Sequence, residues 1–214
     1  MEVPDPLTRF QRSVLEAFFS LPESHGYVLA GGAGLLAARL STRPTDDVDL
    51  FGSDLQAGVE AAGDALEAVC VERSWHVERV RDAPTFRRLA LADGEDELIV
   101  DLAIDSPPLH SIHLTDVGPT FELHELAARK LLALFDRAAA RDFADLLALS
   151  GRFDVDELLT LARELDDGFD IAIFASMLDA LDRFSDEDLT ATGAEPGDLR
   201  RFVAELADRL RSAS

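Results

Sequence analysis

Residues 27–51, YVLAGGAGLLAARLSTRPTDDVDLF, constrain the fold more than any other stretch of this chain. They read as a short apolar strand (27–30), a pair of glycines, a helical run through Leu40, and a second strand at 47–51. Side chains alternate across a strand, so Asp47 and Asp49 share one face while Val48 and Leu50 take the other and enter the core. Two adjacent carboxylates repel, and without a countercharge one of them would be pushed toward its protonated form. A divalent cation removes that conflict. Paired carboxylates are what a Mg²⁺ (or Mn²⁺) site needs, with phosphate oxygens completing the octahedron. The glycines allow close backbone approach just before a helix, whose N-terminus favours phosphate. The stretch is not a Walker loop, because no Gly-Lys-Ser/Thr follows, and it is not a Rossmann fingerprint, because G-x-G-x-x-G is absent.

A third carboxylate on a neighbouring strand would let such a pair hold two metals about 4 Å apart, the arrangement used for in-line displacement at phosphorus. Asp101, inside LIVDLAI, is the candidate, since a bare acid is unexpected in an otherwise apolar strand; Asp105 competes with it. Plainer readings exist for each element. Asp-x-Asp also fits the solvent face of an edge strand, Asp101 a solvated strand end, and Gly31-Gly32-Ala33-Gly34 a tight strand-to-helix turn. Asp46 faces away from the pair and reads as a turn residue.

Around this stretch the pattern is mixed α/β, and then all-α. Leu7, Phe10, Val14, Leu15 and Phe18 recur at helical spacing over 7–20. Residues 54–70 read as a helix, 75–81 and 86–92 as strands, 94–96 as a turn and 97–105 as a strand, with Pro107-Pro108 closing the sheet region. From about residue 121, HELAARKLLALFDRAAARDFADLLALS keeps apolar residues at helical spacing for more than six turns, and further helices follow near 155–166, 169–183 and 198–212. The expected organisation is an α/β (α+β) core over 1–120 and a C-terminal helical bundle over 121–214.

Composition narrows the function classes. The net charge of −22 excludes a polybasic nucleic-acid binder of the usual kind. Both halves are acidic, with 9 basic against 20 acidic residues over 1–110 and 11 against 22 over 111–214, so there is no separate acidic tail. One cysteine, Cys70, allows no intrachain disulfide, and the N-terminus lacks the basic start and apolar run of a signal peptide, so a cytoplasmic location is expected. No apolar stretch is long enough to span a bilayer, and no membrane partner is expected. Of the 20 basic residues 19 are Arg, and the exception is Lys130. Cys70 reads as a core residue. His110 and His113, with no acidic or thiol partner at ligand spacing, read as loop surface.

On one continuous helix, Lys130, Arg137, Arg141 and Asp145 fall within a narrow face, and Asp142 points about a third of a turn away. If the helix instead breaks near 138–140, Asp142 reads as an N-cap of the second half. Asp145 also fits a simple i+4 pair with Arg141.

Strand, Gly-Gly, helix and Asp-x-Asp strand together resemble the nucleotidyltransferase superfold of DNA polymerase β. More narrowly, LAGGAGLLAARL, RPTDDVDLF and ELAARKLLALFDRAAARDFADLLAL resemble the AbiEii-type nucleotidyltransferase toxins of type IV toxin–antitoxin pairs, whose helical motif runs lysine, arginine, then Arg-Asp-x-x-Asp-Leu. The resemblance spans roughly residues 27–150. It implies that Gly31 and Gly32 bracket an NTP triphosphate, that Asp47 and Asp49 hold Mg²⁺, that Lys130 contacts nucleotide phosphates with Arg137 and Arg141 nearby, and that Asp142 and Asp145 complete or brace the site. Ala33 departs from the wider superfold, where a phosphate-holding hydroxyl often stands. The implied activity is Mg²⁺-dependent transfer of an NMP from an NTP to RNA (tRNA ends favoured) or to a protein, with a cognate antitoxin as partner. An RNA acceptor would need Arg39, Arg43, Arg87, Arg88, Arg137 and Arg141 to gather near the site. A cationic, aminoglycoside-like acceptor would suit the acidic chain better, and a degenerate, nucleotide-binding fold would account for Ala33.

Overall fold

The computed structural model describes residues 6–53 and 58–213. The chain divides into two compact units, the first ending at Leu123 and the second beginning at His124.

The first unit is a seven-stranded mixed sheet with helices. In chain order it comprises α1 (Arg9–Phe19), β1 (Tyr27–Ala30), α2 (Gly31–Ala37), β2 (Asp47–Gly52), α3 (Val59–Glu72), β3 (His76–Ala83), β4 (Phe86–Ala92), β5 (Glu97–Ile104), β6 (His113–Leu114) and β7 (Pro119–Thr120). The strand order is β3-β4-β5-β2-β1-β7-β6, with β2–β5 and β1–β7 parallel and the other pairs antiparallel. Thr8 and Gln11 form a reciprocal capping box that starts α1. Gln11 then reaches out of the helix and donates to the Thr45 carbonyl at 2.6 Å, which anchors the loop leading into β2.

The alternation read from DVDLF holds: β2 is half-buried and buried by turns, with Val48 and Leu50 fully buried. They pack with Val100 and Leu102 of β5, Leu89 and Leu91 of β4, and the apolar faces of α1 and α3. Cys70 lies in this core, where burial pushes its thiol up to about 11. Trp75 packs edge-on against Phe10.

Four sequence expectations are revised. The sheet does not close at Pro107-Pro108, because β6 and β7 follow; two-residue strands carry too little alternation to be read in advance. The helix expected through Leu40 ends at Ala37, and Arg39 turns the chain at φ +58°. The helix expected over 54–70 is seen over Val59–Glu72, while residues 54–57 lie outside the described residues.

The fourth revision concerns the helical unit. The long expected helix is two: α4 (Leu123–Arg137) and α5 (Ala140–Ser150), separated where Ala138 adopts φ +45°. The apolar spacing carries through that break, so periodicity alone could not show it. Then follow α6 (Val155–Leu165), α7 (Ile171–Met177) continuing as a 3-10 turn to Arg183, α8 (Asp186–Ala191), which sequence periodicity missed, and α9 (Pro196–Ala213). No helix among the described residues is long and apolar enough to cross a membrane.

Candidate active site

The parallel pairing of β2 with β5 decides where the carboxylates lie. Asp49 stands opposite Asp101, and Asp47 stands opposite Ile99. Directly paired residues share a face, so Asp47, Asp49 and Asp101 form one acidic patch on the face opposite the core. Asp105 follows the end of β5, where its carboxylate accepts from its neighbour Ser106, so the register joins Asp101 and not Asp105 to the pair. Asp101 is 8% exposed.

The double glycine is explained by the same patch. Gly31 has φ +59°, and a Cβ there would overlap the Asp49 carboxylate. At Gly32 a Cβ would come within 2.9 Å of the Thr45 hydroxyl. Thus the glycine pair lets an acidic side chain and a hydroxyl lie directly against the backbone at the β1–α2 turn. The Thr45 hydroxyl donates to Asp47 Oδ1. Ala33 lacks the hydroxyl often found in the wider superfold, and the hydroxyl that reaches this turn is that of Thr45. A hydroxyl two residues before the Asp-x-Asp strand was the available signal.

Arg88, expected only as one of the arginines that an RNA acceptor would need, reaches the patch through Asp101. It pairs with Asp101 across β4–β5 and donates two hydrogen bonds to it, Nε to Oδ1 at 2.7 Å and a terminal nitrogen to Oδ2 at 2.6 Å. Those hydrogen bonds hold the guanidinium firmly charged against its partial burial, helped by the fields of Asp101, Asp47 and Asp49. Arg87, one residue earlier, does not join the site. Strand alternation sends it to the core face, where it is 1% exposed and bound to Asp82, Asp64 and Glu67. Gly63 of α3 makes room for it, since a Cβ there would come within 2.6 Å of the Arg87 side chain.

A cavity of about 590 Å³ adjoins the patch, lined by Asp46, His76, Glu78, Glu97 and the small or apolar residues Ala90, Ala92 and Ile99. Asp46, expected to be a turn residue, lines this cavity. Ile99 links cavity and patch, because it stands opposite Asp47.

The donor set fits a hard divalent cation in part. Asp47 and Asp49 offer carboxylate oxygens on one face, and Asp101 is committed to Arg88. Among the described residues, no three carboxylate, imidazole or thiol groups form a ready-made metal cage. That is compatible with Mg²⁺, which is usually held by one or two carboxylates with substrate phosphates and water supplying the rest.

In the helical unit, Lys130 of α4 is 6% exposed; its ammonium lies 2.7 Å from Asp145 and 3.6 Å from Asp142, both on α5. Asp142 also accepts two hydrogen bonds from Arg137, each 2.8 Å. It is the third residue of α5 and accepts from the Ala139 N–H, so it caps the helix from inside and not as the N-cap itself. Burial opposes ionisation of Asp142, yet the Arg137 hydrogen bonds and the charges of Lys130, Arg137 and Arg141 outweigh it and hold the carboxyl below the usual range. The break between α4 and α5 replaces the single helical face expected for Lys130, Arg137, Arg141 and Asp145 with a cluster drawn from two helices.

A sequence model described as "Nucleotidyl transferase AbiEii toxin, Type IV TA system" matches residues 13–212. The chain belongs to the AbiEii nucleotidyltransferase toxin family. Among solved structures, MenT4, a nucleotidyltransferase toxin of Mycobacterium tuberculosis H37Rv, is similar at 19% identity and a TM-score of 0.67, covering 93% of this chain and 82% of its own. A crystal structure of a nucleotidyltransferase from H. pylori matches at 16% identity and TM-score 0.58, covering 97% of this chain and 99% of its own. JHP933 from Helicobacter pylori matches at 16% identity and TM-score 0.57, covering 100% and 96%. No curated sequence matches the chain. Membership of the AbiEii family carries the enzyme class, nucleotidyl transfer.

Proposed function

We propose that the chain transfers an NMP from an NTP to a hydroxyl of an acceptor, with Asp47 and Asp49 as metal-binding carboxylates and Asp101 as the third member of the trio. The observation that carries this reading is the β2–β5 register, which sets Asp101 opposite Asp49 on the face where Asp49 lies against Gly31. The acceptor oxygen attacks the α-phosphorus, the bond from that phosphorus to the β-phosphate oxygen breaks, pyrophosphate leaves, and the acceptor's proton passes to solvent. A bound Mg²⁺ (or Mn²⁺) would neutralise charge on the transferring group. Gly31 and Gly32 have no side chains of their own, and a triphosphate bound at the β1–α2 turn would meet the Asp49 carboxylate that lies against it. In the helical unit, Lys130 with Asp142 and Asp145, flanked by Arg137 and Arg141, is the cluster that the family resemblance marks for the reaction.

As a toxin of a type IV pair, the enzyme would act on RNA, with tRNA ends favoured, or on a protein, and would be held in check by a cognate antitoxin. The cavity supports a second reading. Among the described residues its ionisable lining is three carboxylates and one imidazole, with no Arg or Lys, which disfavours a phosphate and suits an amine-bearing small acceptor. An RNA acceptor would have to present a base or ribose there.

The test is incubation of the purified chain with α-labelled NTPs, Mg²⁺ and either total RNA, protein extract or aminoglycosides. Label should enter one acceptor class. Asp49→Asn, which removes charge and keeps volume, should abolish transfer and leave the melting curve unchanged. Transfer by Asp49→Asn at the wild-type rate would refute the assignment of Asp49. RNA labelling that falls steeply with salt would support phosphate contacts, and labelling confined to aminoglycosides would favour the second reading.

A further inference from the structure

Asp101 is not free to serve as a third metal-binding carboxylate while Arg88 occupies both of its oxygens. We propose that Arg88 is the resident countercharge of Asp101, and that it competes with the divalent cation for that carboxylate. This rests on the reading of Asp47 and Asp49 as metal-binding residues and adds a role for a residue outside that set.

Three observations carry the proposal. First, the register aligns Arg88, Asp101 and Asp49 across three adjacent strands, so the guanidinium belongs to the same face as all three carboxylates. Second, the pair is asymmetric in burial: the Asp101 side chain is 11% exposed, whereas that of Arg88 is 46% exposed. A half-exposed guanidinium can move into water, and an entering cation would then compensate the buried carboxylate that it leaves, which would otherwise be costly. The carboxylate, fixed in its strand, stays. Third, Arg88 feels the charges of Asp47 and Asp49 as well as that of Asp101, so its guanidinium repels a cation that enters beside them. Arg88 is therefore a positioning residue. It keeps Asp101 compensated when no cation is bound, and it sets how readily a cation binds before NTP arrives with its own phosphate oxygens.

Packing alone would predict something different. A purely structural Arg88 would alter stability when removed and leave cation affinity alone. The measurement is Mn²⁺ binding to the nucleotide-free chain, followed by the loss of the free-ion EPR signal. Arg88→Gln should bind Mn²⁺ more tightly than wild type, on the order of tenfold, as expected when a positive charge is removed from the neighbourhood of a divalent cation in a half-exposed site. Arg88→Lys, which keeps the charge but loses the two-pronged grip, should fall between them and guards against a folding failure of the Gln variant. Arg73→Gln, the same charge change at the end of α3, should leave affinity unchanged. Arg88→Gln with wild-type affinity, or with no measurable binding, overturns the proposal. Asp49→Asn introduced into Arg88→Gln separates the two ideas. If it removes the added binding, both stand. If binding is tight in Arg88→Gln and indifferent to Asp49, the cation sits elsewhere and the metal assignment itself fails. If Asp49→Asn weakens Mn²⁺ binding in the wild-type background while Arg88→Gln changes nothing, only the role of Arg88 fails.

Discussion

Removing the ammonium of Lys130 should cost the fold far more than a surface charge would. Lys130, Asp142 and Asp145 are 6%, 0% and 1% exposed, and the ammonium stands 2.7 Å from the Asp145 carboxylate. At an effective dielectric constant of about 20, unit charges at that distance attract by roughly 6 kcal/mol. Desolvation of both groups offsets much of this, and breaking such a pair from one side typically costs about 3–5 kcal/mol because the other charge stays buried. Lys130→Met, which keeps most of the apolar stem, should therefore lose about 3–5 kcal/mol. Asp142 softens the loss little, since it already shares its oxygens between Arg137 and the Ala139 N–H. Asp145→Asn should cost less, about 1–3 kcal/mol, because the ammonium keeps Asp142 at 3.6 Å. The double variant Lys130→Met/Asp145→Leu removes both charges, and it should recover to within about 2 kcal/mol of wild type, as apolar replacements of buried pairs often do. Urea unfolding followed by far-ultraviolet circular dichroism gives the four free energies. A loss below about 1 kcal/mol in Lys130→Met, the range of a solvated pair, would refute the burial argument. The order of experiments follows: turnover of Lys130 variants is interpretable only where the unfolding curve shows a folded enzyme.

Two further outcomes follow from the same geometry. The Asp142 carboxyl is depressed in the folded state, so its contribution is present above the unfolded value of about 3.9 and is lost as pH falls through the lower folded value; urea midpoints measured from neutral pH down to about pH 2 should show a steeper acid limb for wild type than for Asp142→Asn, and equal limbs would refute the assignment. Gly31→Ala should lose about 1–3 kcal/mol from its positive φ alone, and the overlap with the Asp49 carboxylate should displace that group and abolish transfer; an active Gly31→Ala enzyme would show that Asp49 need not lie against the turn.

Much of the α/β unit was legible because its signals are local. Alternation placed Val48 and Leu50 in the core and Asp47 with Asp49 on the other face, and the glycine pair marked the β1–α2 turn. Register is not local. That Asp101 stands opposite Asp49, ahead of Asp105, depends on how β5 slides against β2, and a shift of one residue would have exposed a different set. The same limit explains Arg87 and Arg88. Adjacent in sequence and alike in chemistry, they separate only when the face of β4 is known, and then one is buried among Asp64, Glu67 and Asp82 while the other meets Asp101. In the helical unit the composition signal at Lys130 was visible, yet the apolar period runs unbroken across Ala138, where the chain actually turns. Nothing in a 3.6-residue repeat distinguishes one helix from two with matched faces, so the partners of Lys130 could not be read from spacing. The Arg-Asp-x-x-Asp stretch nevertheless held the clue in another form: Asp142, three residues after the break, is the side chain that reaches back to the Ala139 N–H. A carboxylate at the third helical position, which there completes the turn's hydrogen bonds, is by itself a mark of a new helix.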